Sequence, residues 1–359
     1  MSAALPDAWR ELALSPPRAC GPALCSGHIR QSPEDFLVEE ILGFEPDGDG
    51  SHVLLQIRKR DCNTEWVARQ LARVAQARNH DVGYAGLKDR HALTTQWFSV
   101  PRGSRSPAGG DWLGHHGEGY EVLAAHAHRR KLPRGALAGN RFEIVIRDCQ
   151  GDATAVLARL QLLAQHGVPN YFGPQRFGHA AANLRELPRA GRGFAISAAR
   201  SLVFNAVLAA RIAQGSWATL QSGDCANLDG RGSFFLVGEC GPDSPAALQP
   251  RLAALDVHPT GPMWGSGTLS SGAAVRELEQ ATAAAFAEPC AALESLGLNQ
   301  ERRSLRVALR DAVGAFEPVA DIGVQLRLRF TLRSGAFATT VLRELGDFDV
   351  PQFLNGDSS

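Results

Sequence analysis

One short segment places an acid between two cations, shortly after two glycines: GYAGLKDRHA, residues 83–92. Its acid is Asp89, and the two cations are Lys88 and Arg90. A carboxylate that acts as a nucleophile must stay ionised, and adjacent cations favour the charged form. The same residues also fit a solvent-exposed salt bridge of Asp89 with Lys88 or Arg90. The local sequence leaves both interpretations open.

A second pattern combines aromatic rings with polar side chains that could recognise a nucleobase. Asn140 lies two residues before Phe142, so in a strand both side chains point to the same side of the sheet. Together they could hydrogen-bond the edge of an unpaired base and stack on its face. Phe36 and Phe337 also look exposed beside polar neighbours, although a single phenylalanine is more often a core residue.

The composition is that of a globular protein. The chain has 359 residues, of which 44% are apolar and 21% charged, which is enough for two domains. Its 37 cationic and 37 anionic residues balance, which excludes a uniformly basic protein but not a local basic cleft. Seven cysteines without a CxxC pair predict reduced thiols, and we expect no metal site. Because we find neither a signal peptide nor an apolar run of about 18 residues, we expect a cytoplasmic protein that does not enter a membrane.

Hydrophobic periodicity predicts the elements that must position these residues. Predicted strands cover residues 35–42, 52–58, 96–100, 141–147 and 321–333, and predicted helices cover 64–77, 152–165, 197–213, 271–296 and the end of 335–345. Residues 1–28 read as a loosely ordered lead-in, and EPDGDG at 45–50 reads as a hairpin turn.

The order of these elements predicts two domains. Strands precede residue 150 and return after residue 320, which indicates an insertion in a sheet domain. The predicted sheet domain comprises residues 1–166 and 309–359, and the inserted domain comprises residues 167–308.

Several familiar catalytic devices are missing from the sequence. It has no P-loop, no G-x-S-x-G elbow and no zinc-deaminase signature. GSGT at residues 265–268 lacks the third glycine of a dinucleotide fingerprint. The sequence therefore predicts a reaction that needs no cofactor.

Six segments make the chain resemble the TruD family of tRNA pseudouridine synthases. They are PEDFLVEE (33–40), RKRDCNTEWVARQLA (58–72), AGLKDRHALTTQWFSV (85–100), KLPRGALAGNRFEIVIR (131–147), GVPNYFGPQRFG (167–178) and SGAFATTVLREL (334–345). The resemblance implies an α+β fold. Its catalytic domain, similar to other pseudouridine synthases, would contain a mixed, mainly antiparallel sheet flanked by helices, and the insertion would be an α/β TRUD domain.

The resemblance also implies an activity, the isomerisation of uridine 13 in the D arm of tRNA to pseudouridine. Asp89 matches the family's catalytic aspartate, which acts as a nucleophile or eases glycosidic cleavage. Phe36, Asn140, Phe142 and Phe337 match residues that line the uridine pocket. The expected partner is therefore tRNA, and we expect a monomer without an obligate protein partner.

A non-catalytic tRNA-binding or RNA-folding factor on the same scaffold is the alternative function. The presence of Asp89 together with Asn140 and Phe142 favours the enzyme, because a pure binder would not need all three. A uridine methyltransferase would need a methyl-donor site, and we recognise none. The chain departs from the family pattern at Arg30 and Ala138, where lysine is common, so charge is kept at the first position and lost at the second.

Overall fold

The structure is a computed structural model that describes residues 6–103, 111–177, 189–319 and 323–351. The helices are α1 (Asp7–Leu14), α2 (Thr64–Ala75), α3 (Ala153–His166), α4 (Arg189–Ala213), α5 (Pro245–Ala253), α6 (Ala273–Ala284), α7 (Ala287–Ser295) and α8 (Ala338–Leu345). The strands are β1 (Cys25–Ile29), β2 (Phe36–Leu42), β3 (His52–Arg60), β4 (Gly83–Tyr84), β5 (Leu93–Pro101), β6 (His116–Gly117), β7 (Tyr120–His128), β8 (Leu137–Gly151), β9 (Val168–Pro169), β10 (Cys225–Leu228), β11 (Phe234–Leu236), β12 (Val257–Met263), β13 (Glu301–Ser304), β14 (Arg306–Val307), β15 (Arg310–Val319), β16 (Gly323–Arg333) and β17 (Gly346–Asp349).

The chain forms two compact units, each assembled from separate stretches of sequence. The sheet unit comprises Leu24–Leu160, Arg310–Gly335 and Asp347–Ser359, and the helical unit comprises Met1–Ala23, Gln161–Leu309 and Ala336–Gly346. These units differ from the predicted domain boundaries in grouping the first 23 residues and the α8 segment with the insertion. Phe337 therefore belongs to the helical unit.

The sheet unit is built on an eleven-stranded sheet. Its main path runs β15-β16-β8-β2-β5-β3-β7-β6, with β1 and β17 attached through β8 and with β4 attached to β5. The pairing of β2 with β5 is parallel. The pairs β1–β8, β2–β8, β16–β8, β15–β16, β3–β5, β3–β7, β4–β5 and β6–β7 are antiparallel. The predicted α+β fold with a mixed, mainly antiparallel sheet is confirmed.

The register of β2 and β8 brings three predicted site residues to one face. Phe36 lies opposite Ile144, and Glu40 lies opposite Asn140. Directly opposite residues share a face, as do residues two apart on one strand. Phe36, Asn140 and Phe142 therefore point to the same side of the sheet.

Helix α2 supplies the apolar core on this face. Val67 and Leu71, one helical turn apart, are fully buried. They belong to the same buried cluster as Ile57 of β3 and Phe98 of β5. The helix ends at Ala75, and the next residue, Gln76, has a left-handed φ of 51°. The buried side of α2 holds this helix against β3 and β5.

The helical unit has its own core. Its four-stranded sheet has the order β11-β10-β12-β13, and β9 pairs with β14. Val203, Phe204 and Leu208 of α4 are buried in its main apolar cluster. Within the described ranges, Arg192–Ala213 is the one helix long and apolar enough to cross a membrane, but 61% of an 18-residue apolar stretch in it is buried, as in the core helix of a globular domain.

Three local predictions are wrong. EPDGDG is not a hairpin turn, because β5 pairs in parallel with β2 and lies between β2 and β3. The lead-in contains α1 and β1, and Trp9 stacks on Phe286 with ring centroids 4.9 Å apart. The long helix predicted at 271–296 is two helices, since Phe286 turns into the core between α6 and α7.

Candidate active site

The Asp89 segment, residues 85–92 between β4 and β5, is held by hydrogen bonds from its backbone to polar side chains. Gln96 of β5 donates from Nε2 to the carbonyl of Gly86 at 2.6 Å. Thr64, at the start of α2, accepts from the Lys88 amide at 3.1 Å and donates to Gln96 Oε1 at 3.0 Å. A helix and a strand of the same unit thus fix the backbone on both sides of residue 87.

Lys59 adds a third tether. Its ammonium is fully buried and donates to the backbone carbonyls of Cys62 at 2.7 Å and Asp89 at 2.8 Å. Burial lowers the pKa of Lys59 to about 8. The Asp89 carbonyl therefore accepts from an ammonium group that loses its proton at a lower pH than an exposed lysine would.

Lys88 does not support Asp89. Its Nζ lies 2.5 Å from Oε1 of Glu40, whose side chain is fully buried. The other oxygen of Glu40 accepts from the Trp97 amide at 2.8 Å. Burial raises the pKa of Glu40, and the charge of Lys88 opposes that rise. Lys88 serves to fasten the segment to β2.

The ion-pair partner of the Asp89 carboxylate is Arg30. Nη2 of Arg30 lies 2.6 Å from Oδ2 of Asp89, with 13% and 28% of the two side chains exposed. Arg90 instead lies 3.8 Å from Asp61. The prediction that Lys88 or Arg90 anchors Asp89 is therefore wrong, because neighbours in an open segment point in different directions and find partners elsewhere.

Arg30 also connects Asp89 to the first predicted aromatic residue. Its guanidinium carbon lies 4.2 Å from the centroid of Phe36. The Phe36 and Phe142 rings meet edge to face at 6.2 Å, and Phe142 contacts Phe330 at 5.5 Å. Phe36 is 4% exposed and Phe142 is 7% exposed, so both are buried, as is usual for a single phenylalanine, although the polar neighbours of Phe36 made it look exposed. The aromatic rings form a packed wall behind Arg30.

Asn140 presents an unusual polar atom on the same face. Its Oδ1 is buried and accepts no hydrogen bond from the residues that the structure describes. A buried acceptor without a partner costs about 1–3 kcal/mol, so such atoms need an explanation. Asn140 lies opposite Glu40, the residue that binds Lys88. A ligand donor, such as the N3–H of uracil, would satisfy this oxygen.

Phe337 lies in the helical unit. It occupies the residue before α8 and is half-buried, with its ring 6.2 Å from that of Phe172. Arg303 lies 4.1 Å and Arg176 lies 5.3 Å from the Phe172 ring centroid. Phe172 is buried, and Arg303 donates to Asn170 Oδ1 at 2.6 Å, so these contacts between cations and rings pack within the helical unit.

Sequence reasoning missed several residues of this arrangement. Arg30 was noted only as a departure from the family pattern, and Glu40, Lys59 and Arg303 were not considered as site residues. One signal was available: the chain has three lysines among 37 cations, at positions 59, 88 and 131. Two of those three hold the Asp89 segment.

Another groove lies elsewhere in the sheet unit. It has a volume of about 730 Å³ and includes Glu39, Trp97 and Arg141 in its lining. Along their strands these side chains alternate with those on the face of Phe36 and Asn140, so they point to the other side of the sheet. Asp89 is not part of this groove.

The described ranges hold no group of three or more His, Cys, Asp or Glu side chains arranged to bind a metal ion. The sequence-based expectation of a reaction without cofactor or metal stays a prediction.

Comparisons with known proteins agree with this fold. A family model described as tRNA pseudouridine synthase D (TruD) matches residues 21–186 and 179–345. The curated tRNA pseudouridine synthase D of Methylococcus capsulatus is 45% identical over 93% of this chain and 94% of its own length. That of Nitrosococcus oceani is 45% identical over 90% and 91%. The chain belongs to the TruD family.

A solved structure shows the same fold at low sequence identity. It is a crystal structure of a Methanosarcina mazei protein described as TruD, with a TM-score of 0.72 and 21% identity. It covers 95% of this chain and 98% of the other. The fold is therefore that of the family over nearly the whole chain.

Proposed function

We propose that this chain is a tRNA pseudouridine synthase that isomerises uridine 13 in the D arm, with Asp89 as the catalytic group. The observation that carries the proposal is the Asp89 carboxylate, held by Arg30 on a tethered segment beside Phe36. Family membership supplies the substrate class: the curated relatives carry the name tRNA pseudouridine synthase D.

The reaction needs no net change of oxidation state. The bond between N1 of uracil and C1′ of ribose breaks, and a bond between C5 and C1′ forms. The proton lost from C5 is balanced by the proton gained at N1. Asp89 would act as the nucleophile: its carboxylate would bond C1′ as N1 leaves, and that bond would break again when C5 bonds C1′. The ion pair with Arg30 would orient the attacking oxygen.

The neighbouring residues suit a flipped uridine. Oδ1 of Asn140 would accept from the uracil N3–H, and its lack of a hydrogen-bond partner among the described residues supports this role. Phe36 and Phe142 would form the apolar wall of the pocket, and we propose Phe337, from the matching family motif, as a further contact of the substrate. We further propose that the protein acts in the cytoplasm, as a monomer and without a cofactor.

A conversion assay tests the proposal. The protein is incubated with an unmodified tRNA transcript without cofactor, and pseudouridine is mapped by carbodiimide-stop sequencing. We expect a stop at position 13 with the wild type and none with Asp89→Asn, which should still bind the tRNA. Asp61→Asn is the matched control, because Asp61 is a nearby exposed acid whose φ of 50° asparagine tolerates.

Other outcomes would contradict specific parts of the proposal. A wild type that binds tRNA without converting it would favour the non-catalytic binding factor. Conversion at a different uridine would refute the position 13 assignment while leaving the chemistry intact. Full activity of Asp89→Asn would remove Asp89 from the mechanism.

A further inference from the structure

Leu87 is the most exposed apolar side chain near Asp89. It is 64% exposed, two residues before Asp89 on the tethered segment. Burying a leucine is worth about 1.5–3 kcal/mol, which this side chain forgoes in the free protein. Single exposed leucines are common, so exposure alone would mean little.

The backbone around Leu87 is fixed by hydrogen bonds, which distinguishes Leu87 from a leucine in a freely moving loop. The carbonyl of Gly86 is held by Gln96, the amide of Lys88 by Thr64, and the carbonyl of Asp89 by Lys59. The backbone on both sides of Leu87 is thus hydrogen-bonded to buried or partly buried side chains. An apolar side chain on such a fixed backbone is presented to a partner at little cost in conformational entropy.

The distance between Leu87 and Asp89 is similar to the gap that one flipped nucleotide leaves in a stacked strand. Two residues of open chain span at most about 7 Å. Nucleotides in a stacked strand are about 3.4 Å apart, so removing one leaves a gap of about 7 Å between its neighbours. Proteins that kink nucleic acids insert leucine and similar side chains between bases, and base flipping costs a few kcal/mol in lost stacking.

We propose that Leu87 enters the RNA stack at the place vacated by the target uridine while that uridine lies against Asp89. Leu87 is then a positioning residue that stabilises the flipped state without touching the reacting atoms. This inference rests on the proposed function and adds a residue to the same site.

Two kinetic measurements test the inference. Leu87→Ala should lower kcat on the tRNA transcript about tenfold, while Leu87→Met, which keeps an apolar side chain of similar volume, should retain most of it. On a transcript with an abasic nucleotide beside the target uridine, little stacking remains to be lost, so the two variants should differ by less than about twofold. Leu113→Ala is the matched control, because Leu113 is 59% exposed in the same unit.

A spectroscopic measurement separates flipping from folding. With 2-aminopurine next to the target uridine, Asp89→Asn should raise the fluorescence by unstacking the probe. The double variant with Leu87→Ala should give a smaller rise at saturating protein. Equal melting temperatures are expected for all variants, since Leu87 makes little contact with the core.

The results that would overturn this inference differ from those that would overturn the function. A Leu87→Ala enzyme as active as the wild type, or one equally impaired on intact and abasic transcripts, excludes the stacking role. A wild type that never forms pseudouridine refutes the proposed function itself.

Discussion

Arg30 and Asp89 form an ion pair with 2.6 Å between Nη2 and Oδ2, although β2, β3, α2 and β4 lie between them in sequence. Arg30 has a φ of 58°, a left-handed conformation that is uncommon for a residue other than glycine. Its guanidinium also covers the Phe36 ring. One side chain therefore joins the carboxylate to the aromatic wall.

Arg30→Met should impair catalysis more than folding. A hydrogen bond to a charged group is worth about 1.5–3 kcal/mol, so kcat should fall about 10- to 100-fold. Arg30→Lys should recover part of the loss, because it keeps the charge but not the planar fork. Arg141→Met is the control, since Arg141 pairs with Glu39 at 2.8 Å on the other face of the sheet. Equal effects of Arg30→Met and Arg141→Met on kcat would contradict the assigned role.

Asn140→Leu should separate activity from stability. Removing a buried acceptor that has no partner should leave the melting temperature unchanged or raise it. Turnover should fall about tenfold or more, because the contact to uracil is lost. Asn205 provides the contrast: its amide exchanges two hydrogen bonds with the Phe172 backbone, so Asn205→Leu should destabilise the protein. A large drop in melting temperature for Asn140→Leu would show that Asn140 has a structural role.

Lys59 should make stability depend on alkaline pH. Its pKa is about 8 in the folded protein, compared with an ordinary value of 10.5. Between these values the unfolded chain binds a proton that the folded protein has released, so the free energy of unfolding rises with pH. From about pH 7.5 to about pH 9.5, wild type should gain on the order of 2 kcal/mol relative to Lys59→Met in urea unfolding. Identical pH slopes for the two proteins would show that the pKa of Lys59 is not lowered.

The affinity for tRNA should depend strongly on salt. Neutralising phosphates releases counterions, so affinity should fall about tenfold or more between roughly 50 and 200 mM salt. Arg176→Gln should reduce the slope of log affinity against log salt by about one, if Arg176 contacts a phosphate. Arg251, an exposed arginine paired with Asp256 in the same unit, is the matched control. An affinity that does not change with salt would exclude phosphate contacts as the main source of binding.

The shared face of the site could be predicted because it depends on local periodicity. Asn140 and Phe142 are two residues apart in a strand with clear alternation, and the structure places them on one side as expected. Phe36 was predicted to lie in a strand as well, and its ring meets that of Phe142.

The partners of the charged residues could not be predicted in the same way. Adjacency in sequence suggested that Lys88 supports Asp89, but Lys88 turns to Glu40 and Asp89 turns to Arg30. These contacts depend on the parallel insertion of β5 beside β2, which no pattern in a single strand encodes. The burial of Phe36 agrees with the core position that is usual for a single phenylalanine, but the rings it packs against come from distant strands that the local sequence does not specify.

The pairing of β8 with β16 has a consequence for synthesis of the protein. Phe142 packs on Phe330, which is translated about 190 residues later. At typical rates of about 5–20 residues per second, a nascent chain would carry β8 with one unpaired edge for roughly 10–40 s. Unpaired edges of this kind promote aggregation, so we expect chaperones to protect this strand on the ribosome.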